Sequence, residues 1–354
     1  MNFAVNSKPG VVGKSNWMLI GLTALGVIAA ALFFWFDSTG ADNGARLFRG
    51  KPESEWVKNL KYNDDEQVKE WRSYGEEGVQ VLIRGLERAN HPGERNYRRF
   101  HRVVPYWVSR WMPDAKDDST RASRMTLTSL IASLGSDAKS ATPIMIRLLK
   151  QDENESVREI VMCYFNSTED EKCLLNQLPA QQKQDLLPVF ISAVRDSEQM
   201  RNNAAISLGF YSEQRKIVAP VLMGALHDSQ PAVVLVAAKS LARVAPDLIT
   251  NAQTAEIIAE ILKNPDDQIA YRAAELLGEM NAEPSIAVPA LISGMTNASR
   301  IVAVDSTLAL TKFNQPADLI LPALNAAMQG TNLSKWLRPV VKKKIESLAA
   351  LSKN

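Results

Sequence analysis

Five apolar helical segments recur along the C-terminal half of the chain, and each ends in a polar or small residue. The segments cover residues 185–196, 218–228, 255–264, 287–297 and 319–330. Their end residues are spaced 32, 36, 33 and 33 positions apart, and they are Asp196, Asp228, Asn264, Asn297 and Gly330. In four of the five, a proline stands eight residues before the end residue: Pro188, Pro220, Pro289 and Pro322. Because proline is tolerated in the first turn of a helix, we predict that each helix begins close to its proline.

A second helix is predicted after each end residue, because apolar positions recur there at helical spacing. The triplets are Met200, Ala204 and Leu208; Val233, Ala237 and Leu241; and Ile269, Ala273 and Leu277. Each second helix therefore has one apolar face. A single helical hairpin cannot cover such a face, whereas stacked hairpins bury a continuous core. The repeat therefore predicts an all-α fold, an α-solenoid of stacked helical hairpins over residues 75–351.

One second helix carries a recognisable motif, Met-Arg-Asn-Asn-Ala-Ala-Ile-Ser-Leu-Gly at residues 200–209, and Val157-Arg158 matches it in part. This pattern resembles the second helix of HEAT repeats, although Val234, Ala270 and Ala303 occupy the arginine position in the later repeats. The resemblance implies HEAT-like hairpins. HEAT arrays mostly bind other macromolecules along a concave face, and a minority related to phycobilisome lyases attach pigments.

An uncharged apolar stretch at residues 17–36 predicts a transmembrane helix. Twenty helical residues span about 30 Å, the thickness of the hydrocarbon core of a bilayer, and Trp17 and Trp35 stand near its two ends. The alternative is a signal peptide cleaved near Thr39-Gly40-Ala41, although its apolar region would be unusually long. Residues 1–16 form a short tail and 37–46 a linker. Because Lys8 and Lys14 precede the apolar run, we expect a single-pass membrane protein with the N-terminus in the cytoplasm and the solenoid outside, in the periplasm of a bacterium.

Between the predicted anchor and the repeats, residues 47–74 predict a cap of two short helices. Pro52, followed by Glu53 and Glu55, favours a helix start, because acids stabilise the positive end of the helix dipole. The opening segment resembles that of bacterial membrane-anchored HEAT-repeat proteins. A first repeat helix is predicted from Gly75, followed by an insertion at about residues 91–134.

The insertion contains a basic, aromatic stretch, residues 95–111, without an acidic residue. Arginine binds carboxylate or phosphate with two hydrogen bonds, and Arg, Trp and Tyr dominate binding hot spots. The candidate partner-binding residues are Arg95, Arg98, Arg99, Arg102, Tyr106, Trp107, Arg110 and Trp111. The partner would be an acidic protein, anionic lipid headgroups or a polyanionic glycan. The alternative is an amphipathic helix whose aromatic side chains pack inward.

The remaining chemistry of the chain is sparse. The net charge is +2, from 41 basic and 39 acidic residues, which gives no global reason to bind nucleic acid. The two cysteines, Cys163 and Cys173, could form a disulfide outside the cytoplasm if their Cα atoms lie within about 7 Å, or remain as buried thiols. The basic last helix, around Trp336–Lys344, is explained as the polar cap that a terminal repeat requires.

The sequence contains no His-Glu-x-x-His and no Gly-x-Ser-x-Gly motif. We therefore expect a membrane-tethered protein–protein binding or scaffolding module that is not an enzyme and uses no cofactor or metal. The alternative is a lyase-like or chaperone-like accessory protein that binds a small molecule in the solenoid groove.

Overall fold

The computed structural model describes residues 46–90, 100–110, 117–166, 173–281, 283–330 and 333–351. Its strands and helices are β1 (Leu47–Phe48), β2 (Lys51–Pro52), α1 (Glu53–Lys58), α2 (Asp65–Ser73), α3 (Gly75–Ala89), α4 (Tyr106–Ser109), α5 (Asp117–Leu134), α6 (Thr142–Gln151), α7 (Glu155–Phe165), α8 (Leu174–Gln177), α9 (Ala180–Ala193), α10 (Glu198–Leu208), α11 (Arg215–Ala225), α12 (Pro231–Val244), α13 (Pro246–Ile249), α14 (Ala252–Ile261), α15 (Asp267–Met280), α16 (Pro284–Gly294), α17 (Arg300–Leu310), α18 (Ala317–Gln329) and α19 (Leu337–Leu351). Gly135–Ala141 and Ser212–Gln214 form 3-10 helices. The chain divides into two compact units, at Val161.

The predicted transmembrane segment, residues 17–36, lies outside the described residues. Within the described ranges, none of the helices has both the length and the apolar character needed to cross a bilayer.

The first unit opens with a small β-hairpin that the all-α prediction did not include. Strands β1 and β2 pair antiparallel across Arg49 and Gly50. Both turn residues have positive φ angles, 49° and 79°, as a tight two-residue hairpin turn requires. The helix predicted after Pro52 does form, and it is α1, with Glu53 and Glu55 in its first turn.

Four aromatic side chains hold this hairpin against α1 and α2. They are Phe48, Trp56, Trp71 and Tyr74, and all their ring centroids lie 5.3 to 6.2 Å apart. The indole Nε1 of Trp56 also donates a hydrogen bond to the carbonyl oxygen of Phe48, at 2.9 Å. Phe48 and Trp71 are fully buried. The aromatic cluster is therefore the core of the N-terminal part of the first unit.

A partly buried ion pair joins α1 to α3. The carboxylate of Glu53 accepts hydrogen bonds from Arg84 Nη2 at 2.6 Å and Arg84 Nε at 3.1 Å. Arg88 lies 3.7 Å from the same carboxylate. Helix α3 also packs against α5, which belongs to the stretch predicted as an insertion. Part of that stretch is therefore a regular helix that pairs with α3.

In the second unit, successive helices form antiparallel hairpins that stack in chain order. The paired helices are α9 with α10, α11 with α12, α14 with α15, α16 with α17, and α18 with α19. The second helices also pack on one another, α10 on α12, α12 on α15 and α15 on α17. This packing of each hairpin on the next is the arrangement of an α-solenoid and confirms the predicted hairpin repeat.

The predicted apolar faces of the second helices are buried. Eight of the nine residues in the three triplets are buried, and Ile269 is half-buried. Glycines follow two of these leucines, Leu208 and Leu277, and they allow neighbouring second helices to approach. A Cβ atom on Gly209 would lie 2.8 Å from the hydroxyl of Ser240, and one on Gly278 would lie 2.8 Å from the Cα of Ala309.

Three of the five residues that mark the repeat form a side-chain turn after the first helix of their hairpin. The side-chain oxygens of Asp228, Asn264 and Asn297 each accept a hydrogen bond from the backbone N–H two residues later, at 2.8 to 2.9 Å. Asp and Asn are favoured at such positions because their short side chains can bond to the nearby backbone. The polar residue therefore turns the chain into the second helix.

The prediction that the repeated prolines open their helices is wrong. Pro188, Pro220, Pro289 and Pro322 all lie inside helices, because each helix begins more than one turn before its proline. All four prolines are exposed. An interior proline removes one backbone hydrogen bond. On the solvent side, water can satisfy the carbonyl that loses its partner.

A two-bond ion pair between Arg201 and Asp228 links two consecutive hairpins of the second unit. Arg201 Nε and Nη2 donate to the carboxylate of Asp228 at 2.7 and 3.0 Å, and Arg201 Nη1 donates to the carbonyl oxygen of Asp196 at 3.0 Å. Burial acts to raise the pKa of Asp228, but the hydrogen bonds from Arg201 and from the Gln230 backbone outweigh it and hold the pKa below its ordinary value. Arg201 is the arginine of the HEAT-like motif, so the motif residue joins two repeats.

We expect Asp228→Asn to lower the free energy of unfolding at pH 7 by about 2 kcal/mol, because it removes a charge-assisted, two-bond contact. A folded-state pKa below the unfolded value stabilises the fold above the unfolded pKa, and this contribution is lost as the pH falls through the folded pKa. Urea unfolding at several pH values should therefore show the difference between wild type and variant narrowing from pH 7 toward about pH 3. The exposed pair Arg215–Asp247 is the control, and Asp247→Asn should have a much smaller effect. If Asp228→Asn lowered the free energy of unfolding by the same amount at every pH, the ion-pair account would be contradicted.

Candidate partner-binding site

The described part of the basic, aromatic stretch is residues 100–110, and Pro105 divides it. Residues 100–103 are helical, and the last helical bond runs from the Val104 N–H to the carbonyl oxygen of Phe100, at 3.2 Å. Pro105 has no N–H and holds an extended ψ of 145°, so the helix cannot continue. The one-turn helix α4 starts directly after it. Backbone N–H groups of Val108 and Ser109 donate to the Pro105 carbonyl oxygen at 2.8 and 3.1 Å.

This break turns two aromatic side chains toward solvent. Tyr106 is 82% exposed and Trp107 is 56% exposed, while Val108 is buried and holds the turn in place. The amphipathic-helix alternative required the aromatic side chains to pack inward, and for Tyr106 and Trp107 the structure contradicts it. Large aromatic side chains left in water are typical of binding surfaces rather than of a closed fold.

The arginines of the stretch differ in how far the structure describes them. Arg102 is exposed and its Nη2 lies 3.5 Å from Glu153 Oε2, and Arg110 is exposed at the end of α4. Arg95, Arg98, Arg99 and Trp111 lie outside the described residues. The structure therefore describes four of the eight candidate residues, all exposed within one short segment: Arg102, Tyr106, Trp107 and Arg110.

Two residues near these four were not predicted from the sequence. Val103 is 78% exposed, although it reads as an ordinary apolar helix residue. Glu153 supplies an acid beside Arg102 from the turn between α6 and α7, about 50 positions away along the chain. Pro105 is the sequence signal that could have indicated the end of this helix, because proline disfavours helical continuation. We call Arg102, Val103, Tyr106, Trp107 and Arg110 the aromatic patch.

The two cysteines do not form a disulfide. Both are free thiols, Cys163 exposed and Cys173 buried. The Cys173 thiol donates to the carbonyl oxygen of Phe165 at 3.3 Å, and the Cys163 sulfur accepts from the Asn203 side-chain amide at 3.8 Å. The alternative of two buried thiols therefore holds only for Cys173. Separate packing of the two side chains explains the result, since each sulfur contacts a different partner.

A second feature of the described residues is an apolar cavity of about 470 Å³ in the second unit. Its lining comes from α16, α17 and α18 with the segments that follow α16 and α18, and consists of Ile292, Met295, Thr296, Ala303, Val304, Thr307, Ala323, Ala326, Ala327, Gly330 and Leu333. The hydroxyls of Thr296 and Thr307 already donate to the carbonyl oxygens of Ser293 and Ala303. Among the described residues, no His, Cys or acidic side chain lines the cavity, so this lining offers mainly apolar contact.

Comparison with known proteins gives similarity of fold only. Neither a protein-family model nor a curated protein matches the chain. Among solved structures, the chain is similar to a designed armadillo repeat protein, with 15% identity, a TM-score of 0.45 and coverage of 58% of this chain and 99% of that one. It is also similar to an engineered protein, with 15% identity, a TM-score of 0.43 and coverage of 84% and 94%.

The complex of CpcE and CpcF of phycocyanin lyase from Nostoc sp. PCC7120 is similar at 15% identity and a TM-score of 0.37, with coverage of 87% of this chain and 97% of that one. These likenesses are too distant to carry a function. The helix packing within the second unit itself establishes the stacked-hairpin fold.

Proposed function

We propose that this chain is a membrane-tethered, non-catalytic module that binds a protein partner through the aromatic patch. The exposure of Tyr106 and Trp107 is the observation that carries the proposal. Tyrosine and tryptophan supply large contact areas at a low cost in conformational entropy, and they dominate the energy of many interfaces. Arg102 and Arg110 flank them with positive charge, which favours a partner surface that carries carboxylates.

The tether is the apolar segment 17–36, whose length and flanking tryptophans support a single span with the helical units outside the cytoplasm. The absence of catalytic motifs from the sequence supports a binding role over an enzymatic one. Stacked helical hairpins commonly serve as extended binding surfaces, so the fold is compatible with this role.

Photocrosslinking tests the proposal directly. A photoreactive phenylalanine analogue placed at position 106 or 107 of the full chain in its native membranes should crosslink to the same protein partner. Ile217 is the matched control, because it is a large apolar side chain that is 55% exposed on α11. The same analogue at position 217 should give no such adduct.

Removing the two exposed aromatic side chains should also lower the affinity for the partner. Tyr106→Ala with Trp107→Ala should weaken capture of the crosslinked partner by at least about 30-fold, the effect of losing a hot-spot residue. Stability should change by less than about 0.5 kcal/mol, because both side chains are exposed. Equal crosslinking from positions 106, 107 and 217, or unchanged capture by the double variant, would reject the patch.

The apolar cavity favours the alternative function, an accessory protein that holds a small molecule in the helical array. Its volume lies within the range of about 300–1,000 Å³ for ligand pockets. The cavity suits an uncharged apolar molecule, but its described lining residues include no His, Cys or acid that could serve lyase-like chemistry. Under this alternative, positions 106 and 107 would not crosslink a protein partner.

A further inference from the structure

The outer surface of the last hairpin is not the uniformly polar cap that the sequence analysis predicts. Trp336 is 58% exposed and Val340 is 41% exposed, and Pro339 between them is also exposed. Lys335, Lys342 and Lys343 are exposed around them. Trp336, Val340 and Lys343 are four and three residues apart, so they share one side of α19 and the turn before it. We call these six residues the terminal basic face.

The other two basic residues of this region have structural roles, and these three lysines do not. Arg338 donates to the carbonyl oxygens of Met328 and Gly330, both at 2.9 Å, and so satisfies the end of α18. Lys344 donates to the side chain of Asn314 at 2.7 Å. In contrast, no acidic side chain among the described residues lies within ion-pair distance of Lys335, Lys342 or Lys343. Their charge is therefore available to an external anion.

The type of basic residue indicates the kind of anionic surface. Lysine is depleted from protein–protein interfaces, where arginine is enriched because its planar group forms paired hydrogen bonds. Flexible lysines next to tryptophan are instead typical of segments that lie on an anionic bilayer, where the indole ring sits among the headgroups. Three exposed lysines and one exposed tryptophan stand here beside a single exposed acid, Glu346. Basic charge therefore predominates, and this composition resembles that of segments that lie on an anionic bilayer.

We propose that the terminal basic face contacts anionic lipid headgroups, with Trp336 and Val340 entering the interfacial region. This inference rests on the proposed membrane tether, which keeps the chain beside a bilayer and makes a weak surface contact effective. Each lysine near an anionic surface should raise the equilibrium constant for binding to that surface about fivefold.

Lysine footprinting of the full chain tests the contact. The protein is reconstituted into nanodiscs of pure phosphatidylcholine, or of phosphatidylcholine with about one third phosphatidylglycerol. Acetylation by a water-soluble reagent is then followed at each lysine by mass spectrometry. Lys335, Lys342 and Lys343 should react several-fold more slowly in the anionic discs, and high salt should remove the difference. Lys216, an exposed lysine on α11, is the internal reference and should react equally in both.

Two variants test whether the protection depends on the lysines of the terminal basic face. Lys342→Glu with Lys343→Glu should abolish the lipid-dependent protection of Lys335, while Lys216→Glu should leave it unchanged. If the three lysines were acetylated at the same rate in both kinds of disc, the proposal would be overturned.

Alkaline extraction of membranes reports on the tether separately. If the chain is extracted, the tether fails, and footprinting is repeated with vesicles of the same two compositions. Slower acetylation on the anionic vesicles would then support the lipid contact without the tether, and equal acetylation would overturn it.

Discussion

Replacing Gly278 with valine is expected to lower the free energy of unfolding of the second unit by about 3 kcal/mol, the upper end of the cost of overpacking. Gly278 lies in α15 where this helix meets α17, and a Cβ atom there would lie 2.7 Å from the Cβ and 2.8 Å from the Cα of Ala309. A backbone atom cannot move aside as a flexible side chain can. The two second helices would therefore have to separate, and the apolar contact between adjacent hairpins would be lost. Urea unfolding followed by circular dichroism measures the change.

Gly224→Val is the matched control for this substitution. Gly224 is also helical, near the end of α11, but it is exposed and a Cβ atom there would have no neighbour within 4 Å. This variant should stay within about 0.5 kcal/mol of wild type or gain slightly from its better helix propensity. If Gly278→Val were as stable as Gly224→Val, the close packing of α15 on α17 would be wrong.

Replacing Trp71 with alanine is expected to lower the free energy of unfolding of the first unit by about 4 kcal/mol. Trp71 is fully buried, and its ring contacts those of Phe48, Trp56 and Tyr74 at 5.5 to 6.2 Å between centroids. Truncating a buried tryptophan leaves a cavity and removes the aromatic contacts, which together cost about 3–5 kcal/mol. Denaturant unfolding followed by near-ultraviolet circular dichroism, which reports on packed aromatic side chains, measures this loss.

Trp107→Ala provides the comparison for Trp71→Ala, because the same residue type is removed from an exposed position. Its effect on stability should be below about 0.5 kcal/mol. If Trp71→Ala and Trp107→Ala lowered the free energy of unfolding equally, the aromatic cluster would not be the core of the first unit's N-terminal part.

The repeat could be predicted from the sequence because burial of helix faces follows a fixed period. Met200, Ala204 and Leu208 recur at every fourth residue, and the structure buries all three. The positions of the prolines could not be predicted in the same way. A proline such as Pro220 looks like a helix start, but an exposed interior position is also tolerated when packing of the helix outweighs the lost hydrogen bond.

Contacts between residues far apart in sequence were beyond the reach of pattern analysis. The pairing of Glu53 with Arg84 depends on where α1 meets α3, and no local pattern indicates it. The same reason explains the candidate site. Composition indicated Tyr106 and Trp107 as candidate binding residues, but their exposure depends on the helix break at Pro105 and on the burial of Val108. Glu153 joins the site only through the turn between α6 and α7.

Site-resolved hydrogen exchange on the wild-type chain and on Gly278→Val tests the stacking of hairpins most directly. In a linear stack each hairpin depends on its neighbours, so the loss of amide protection should be largest in α15 and α17, smaller in α12 and α16, and absent from α9 and α10. A uniform loss of protection across all helices of the second unit would instead indicate one shared core, and the stacked-hairpin account would be contradicted.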